Sequence, residues 1–143
     1  MMNNAWIDAN VLLRFLTKEP LDMAEQAARV FSAAERGQLK LLVSSMTVAE
    51  TIWTLESYYG YGRAEISSTL LAFLFSDGIV AEEKSVLVEA VEAYRDKNVD
   101  FIDAYLAAHA NQMGTPTMIT FDRKHFNRLA VKVIDPGSSS EFK

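Results

Sequence analysis

Five short apolar runs, separated by amphipathic stretches or tight turns, restrict this chain more than any other feature of it. Residues 5–8, 39–43, 78–80, 117–121 and 131–134 read as strands. Long helix-forming stretches lie between the first four of them, and a turn or single helical turn precedes the last. A strand, a crossover helix and another strand make a parallel pair, and repeated units of that kind build a parallel sheet covered by helices on both faces. The expectation is an α/β fold of three layers, α/β/α, around a central, mostly parallel sheet of about five strands.

The first run, Ala5-Trp6-Ile7-Asp8-Ala9-Asn10-Val11-Leu12-Leu13, is apolar, ends on a carboxylate and then turns helical. Such a run reads as a strand buried on both faces, as central parallel strands are. Asp8 then falls beyond the carboxyl end of that strand, where open α/β sheets place their ligands. The plainer reading is that Asp8 or Asn10 caps a helix starting near Val11.

At 143 residues the chain fits one domain, expected over residues 1–136, with a core that needs no staples. Gly137-Ser138-Ser139-Ser140-Glu141-Phe142-Lys143 reads as a flexible tail or a cloning remnant and is left out of the fold. There is no cysteine, so disulfides and thiolate metal sites are excluded and a reducing cytoplasm is the expected location. No apolar stretch is long enough to span a bilayer, and no basic leader precedes one. A formal charge of −5 argues against broad attraction to phosphates, though the local cluster Arg123-Lys124-His125 leaves phosphate binding open.

Between the strands, residues 11–17 form a short helix that Glu19-Pro20 ends. Residues 21–36 form an alanine-rich amphipathic helix, with Met23, Ala27, Val30, Phe31 and Ala34 at helical spacing and Gly37 closing it. Thr47 and Glu50 have capping-box spacing at the head of a helix running to about Tyr59. Residues 64–75 form a helix apolar on more than one face, which suits a core or a subunit contact. Residues 85–97 and 100–113 complete the helices, and residues 122–127 a turn.

This placement puts four acids at strand ends or helix starts: Asp8, Glu50, Asp103 and Asp122. Each has a structural explanation. Asp8 and Asp122 suit N-caps, Glu50 the returning half of a box with Thr47, and Asp103 the same for Asp100. Capping leaves unexplained why Glu50 lies among Val48, Ala49, Ile52 and Trp53, and Asp103 among Phe101, Ile102, Tyr105 and Leu106. A parallel sheet gathers strand ends and helix starts at one rim, so the four carboxylates are expected to converge. Unpaired they repel, and a divalent cation relieves that. Oxygen donors without cysteine or clustered histidine suit Mg²⁺ or Mn²⁺. The chemistry of such a site is water activation and phosphate clamping, most naturally phosphodiester hydrolysis. Asn10 and Thr120 stand beside these acids as supporting polar residues, or are ordinary turn and strand-end residues.

With those residues placed, the chain resembles the PIN-domain ribonucleases, and most closely the VapC toxins of bacterial toxin–antitoxin pairs. The likeness runs through Ile7-Asp8-Ala9-Asn10-Val11-Leu12, Val48-Ala49-Glu50, Asp103-Ala104-Tyr105-Leu106-Ala107-Ala108 and Thr120-Phe121-Asp122 with Phe126. It implies a metal-dependent endoribonuclease of PIN-like fold whose acidic cluster is Asp8, Glu50, Asp103 and Asp122, supported by Asn10 and Thr120. Asp122 matches the most variable of those positions. The resemblance further implies a homodimer and an antitoxin whose tail occupies the active-site groove. Arg14, Lys18, Arg123 and Lys124 are candidates for the RNA backbone, and Tyr58, Tyr59 and Tyr61 for its bases.

Two other readings compete. A haloacid-dehalogenase-type phosphatase also uses an aspartate after its first strand, but usually a second aspartate two residues on, where this chain has Asn10. A catalytically silent scaffold of the same fold has no reason to keep four mutually repelling carboxylates at one rim.

Overall fold

The computed structural model describes residues 3–138 and Phe142. Of the expected tail, residues 139–141 and 143 lie outside the described residues; Gly137 and Ser138 turn on Asp135, Gly137 donating its amide to the Asp135 carboxylate at 2.7 Å. The chain divides into two compact units, Met1–Lys84 and Ser85–Lys143.

The first unit runs β1 (Asn4–Trp6), α1 (Ala9–Thr17), α2 (Leu21–Glu35), β2 (Lys40–Val43), α3 (Ser45–Ser57), α4 (Arg63–Leu74) and β3 (Ile79–Ala81). Its strands form a parallel sheet in the order β1-β2-β3, with Trp6 beside Leu42 and Val43 beside Ala81. Leu41 and Val43 of the central strand are buried, with Leu12 of α1, Val48, Ile52 and Leu55 of α3, and Ile66, Leu70 and Leu74 of α4. The helix spacing read from the sequence is what buries these faces. On α2 the buried positions are Ala24, Ala27, Phe31 and Ala34, whereas Met23 is exposed. Phe31 stacks on Phe15 of α1 at 4.2 Å between centroids.

β1 departs from expectation. Within this sheet it is paired on one side only, and Trp6 is 62% exposed, so β2 rather than β1 is the strand buried between neighbours. A continuous apolar run names a strand without saying which place in the sheet it takes. The turn into β3 rests on Gly78, at φ +81°, where an added Cβ would stand 2.8 Å from the Cβ of Ala34. Only glycine lets the chain pass that close to the end of α2 with a left-handed backbone.

The second unit takes up α5 (Lys84–Asp96) from Ser85 onward, then α6 (Phe101–Gln112), β4 (Thr117–Ile119), α7 (Arg123–Phe126) and β5 (Lys132–Ile134). β4 and β5 pair in parallel, Met118 beside Val133. α5 buries Val86, Leu87, Ala90, Val91 and Tyr94, the last edge-on to Phe101 at 6.5 Å. α6 buries Phe101, Ala104, Ala107 and Ala108 and leaves Ile102 and Leu106 exposed. This helix is apolar on nearly every face, so its periodicity does not choose the buried one.

The α/β class with parallel strands is therefore the one expected. All five strands form, three in one sheet and two in another rather than in a single five-stranded sheet. Pairing partners are chosen by tertiary packing, which strand-forming sequence alone does not encode. Among the described residues, no helix is long and apolar enough to cross a membrane.

Candidate functional site

In the first unit, β1, β2 and β3 run the same way, so their carboxyl ends share one rim. Ile7 donates its amide to the Leu42 carbonyl at 3.1 Å, and Glu82 to that of Val43 at 2.8 Å. Asp8 therefore leaves β1 beside the start of α3, as the order of strand and acid in the sequence predicts. Its exposed side chain is an N-cap for α1, Oδ1 accepting from the Val11 amide at 3.1 Å. The helix begins at Ala9, two residues earlier than expected, because the cap is Asp8 and not Asn10.

Glu50 is not half of a capping box. Helix α3 starts at Ser45, and Ser44 is its cap, accepting the Thr47 amide at 3.1 Å. With the helix beginning before Thr47, Glu50 is beyond reach of the helix start and faces outward. Its carboxylate makes no hydrogen bond or ion pair among the described residues. The same rim carries Glu82 and Glu83 after β3, where Ser45 donates its hydroxyl to Glu83 at 2.7 Å. The sequence signal for Glu82 is that Ile79-Val80-Ala81-Glu82 repeats the apolar-run-then-acid pattern of Ile7-Asp8, with Glu83 following it.

Asn10 is exposed in the first turn of α1 and lines a groove of about 330 Å³ between α1 and α2 with Val11, Arg14, Met23 and Val30. Arg14 donates to the Glu19 carbonyl at 3.4 Å, and Lys18 is the left-handed residue that ends α1. By the rise of the helix they lie about 9 and about 15 Å along its axis from Asp8. Both cations are thus at the end of α1 remote from the acid.

In the second unit, Asp103 sits in the first turn of α6. Asp100 is the cap residue but makes no side-chain cap bond, so the box expected there does not form and Asp103 keeps its carboxylate free of one. Burial pushes the Asp103 carboxyl above its usual range, and the charges of Asp100 and Asp122 push the same way, with His125 opposing. Asp122, by contrast, is the cap of α7. It accepts the His125 amide at 3.1 Å, and the His125 ring Nδ1 stands 2.8 Å from Oδ2. Those bonds hold its carboxyl below the usual range.

Thr120 accepts the Asp122 amide on Oγ1 at 2.9 Å, which fixes the turn carrying the acid. Arg123 stands 3.8 Å from the Asp135 carboxylate, leaving Lys124 as the exposed cation of that cluster with no ion-pair partner among the described residues. In the sequence His125 reads as part of a basic cluster. Its three-residue spacing from Asp122, the N-cap to N3 distance, was the signal for the contact.

The four acids thus sort into two kinds. Asp8 and Asp122 are caps, as their plainer reading has it; Glu50 and Asp103 are not. Among the described residues no three carboxylate or imidazole side chains stand grouped as a metal site. The donors themselves suit a hard cation, being oxygens. Asp103 in particular carries a charge that its surroundings disfavour, the condition a counter-charge relieves.

The family model for the PIN domain matches residues 5–132. The chain is also 27% identical, over 134 residues, to a VapC ribonuclease of Aquifex aeolicus (strain VF5), an alignment covering 94% of this chain and 98% of that protein. The matched residues extend into both units and include Asp8, Glu50, Asp103 and Asp122, and this chain belongs to the PIN-domain family.

Proposed function

We propose that this protein is a divalent-metal-dependent endoribonuclease, the toxin of a toxin–antitoxin pair, with Asp8, Glu50, Asp103 and Asp122 supplying the oxygen ligands for Mg²⁺ or Mn²⁺. The observation that carries the reading is that Glu50 and Asp103, both inside PIN-domain sequence, are carboxylates without a capping role. The name of the Aquifex relative, a VapC ribonuclease, supports RNA as substrate, and the resemblance to the VapC toxins supports an antitoxin as partner. Family resemblance supports a cytoplasmic homodimer.

Asp8 and Asp122 enter this scheme already oriented. Asp8 has one oxygen fixed by the Val11 amide, which sets the direction of the other and lowers the entropy cost of taking a ligand, whereas Asp122 has both oxygens against His125 and takes a ligand in competition with that ring. Thr120 holds the backbone at Asp122, and Asn10 follows Asp8 in the first turn of α1, where its amide group is exposed to water or substrate. Glu50 and Asp103 bring the negative charge least satisfied by the protein. A bound divalent cation supplies Lewis-acid chemistry here, favouring ionisation of a nearby water and drawing charge from the scissile phosphate. Lys124 and Arg123, which follow Asp122 directly, are the cations offered to the RNA backbone beside that acid, while Arg14 and Lys18, at the far end of α1 from Asp8, reach only RNA that runs on past it.

The test is Mn²⁺ calorimetry on wild type and Asp103→Asn, beside cleavage of structured RNAs with Mg²⁺ or with chelator. Metal binding and cleavage lost together in the variant support the reading. A wild type that neither binds the metal nor cleaves leaves the scaffold reading in its place.

A further inference from the structure

Glu50 does not stand alone on its helix. One turn before it is Met46 and almost one turn after it is Trp53, and these are 80% and 69% exposed. Positions 46, 50, 53 and 57 share one face of α3, so the carboxylate lies between two exposed apolar side chains on an otherwise well-packed helix. The Trp53 indole makes no hydrogen bond or ring contact among the described residues. Five residues on, about 7.5 Å along the axis, Tyr58 begins a chain of edge-to-face rings. Tyr58 and Tyr59 are 4.9 Å apart, Tyr59 and Tyr61 6.1 Å. Tyr58 itself is 79% exposed.

We propose that this face of α3 binds unpaired RNA bases, with Trp53 stacking the base next to the phosphate held near Glu50 and Tyr58 offering the following ring. The proposal rests on the nuclease reading and names how its substrate is gripped. Two physical arguments favour this occupant. A chain of net charge −5 gains little from general attraction to the RNA backbone, so contacts to the bases add affinity that its overall charge does not supply. Aromatic stacking supplies it without regard to charge, and only single-stranded bases present a free face. A second copy of the chain packed symmetrically on this strip would bring the two Glu50 carboxylates into the contact, a desolvation and like-charge cost set against the burial of Met46 and Trp53. A base stacked on Trp53 leaves Glu50 in water.

The experiment uses the full chain with Trp6→Phe, so that Trp53 is the remaining indole, and Asp103→Asn to stop cleavage. Unstructured oligouridine and oligoadenosine are the probes. Binding is expected to quench Trp53 fluorescence. Trp53→Ala is expected to weaken it about ten- to a hundredfold, the range of one lost stacking contact, while Trp53→Phe restores most of it. With Asp103 intact, Mn²⁺ affinity stays unchanged in Trp53→Ala, which separates base binding from the metal site. Equal oligonucleotide affinity in Trp53→Ala, with wild type still cleaving RNA, overturns this proposal and leaves the nuclease reading standing. Loss of self-association in Trp53→Ala at unchanged RNA affinity assigns the strip to a contact between copies instead. A wild type that neither binds nor cleaves RNA with Mn²⁺ present removes both.

Discussion

Asp122 and His125 are joined twice: the histidine amide donates to the carboxylate at 3.1 Å, and the ring Nδ1 stands 2.8 Å from the other oxygen. The aspartate is thereby held in its charged form, with its carboxyl below the usual range. Asp103, whose charge Asp122 opposes, is displaced the other way.

These opposite displacements predict opposite pH behaviour in metal-free buffer. A lowered folded pKa contributes stability above the unfolded value of about 3.9, lost as pH falls through the folded one. Asp122→Asn keeps a capping oxygen but loses the charge, so it is expected to melt below wild type at neutral pH. The gap closes on acidification below the carboxylate range. Thermal melts at the two pH values check this.

Asp103 reverses the sign. A raised folded pKa contributes stability that is present below the unfolded value and lost as pH rises through the folded one, so ionised Asp103 weakens the fold at neutral pH. Asp103→Asn is expected to melt higher than wild type at neutral pH without metal and to lose that advantage in acid. The same variant is expected to reduce RNA cleavage by about a hundredfold or more, since several kcal/mol of metal-derived stabilisation go with the ligand.

Metal binding to the folded chain is expected to raise the melting temperature. At a hundredfold excess over its dissociation constant the gain is about 2.7 kcal/mol. Melts with and without Mn²⁺ measure it, and Asp103→Asn is expected to abolish the shift. A shift of equal size in the variant would sink Asp103 as a ligand.

The true start of α3 gives a stability test that separates cap from functional acid. Ser44→Ala removes the oxygen that accepts the Thr47 amide and is expected to cost about 1 kcal/mol. Glu50→Gln removes no cap and is expected to stay within about 0.5 kcal/mol of wild type. Denaturant unfolding of both variants decides it; a Glu50→Gln loss as large as that of Ser44→Ala would reinstate the capping box.

Gly78→Ala meets both a left-handed backbone and the end of α2, and is expected to destabilise the first unit by more than about 2 kcal/mol. Ala substituted at Gly60, also left-handed but with open space around it, isolates the backbone part of that cost. Equal losses at the two positions would mean that the close approach to Ala34 contributes nothing.

Much of this protein was determined by its sequence. Alternating short apolar runs and amphipathic stretches set the strands and helices to within a residue or two, because hydrophobic period and turn residues act locally. The order of motifs likewise marked the PIN family. Tertiary structure decided what period leaves degenerate: that β2 rather than β1 is the central strand of its sheet, that α6 buries its alanines instead of Ile102 and Leu106, and that Trp53 faces water beside Glu50. It also decided which acids are caps. Asp8 and Glu50 both stand close to helix-start signals in the sequence, yet a single residue, Ser44, takes the cap of α3 and leaves the Glu50 carboxylate without a hydrogen bond among the described residues. Capping depends on where the backbone leaves its strand, and that is fixed by packing across the sheet rather than by the residues of the helix start alone.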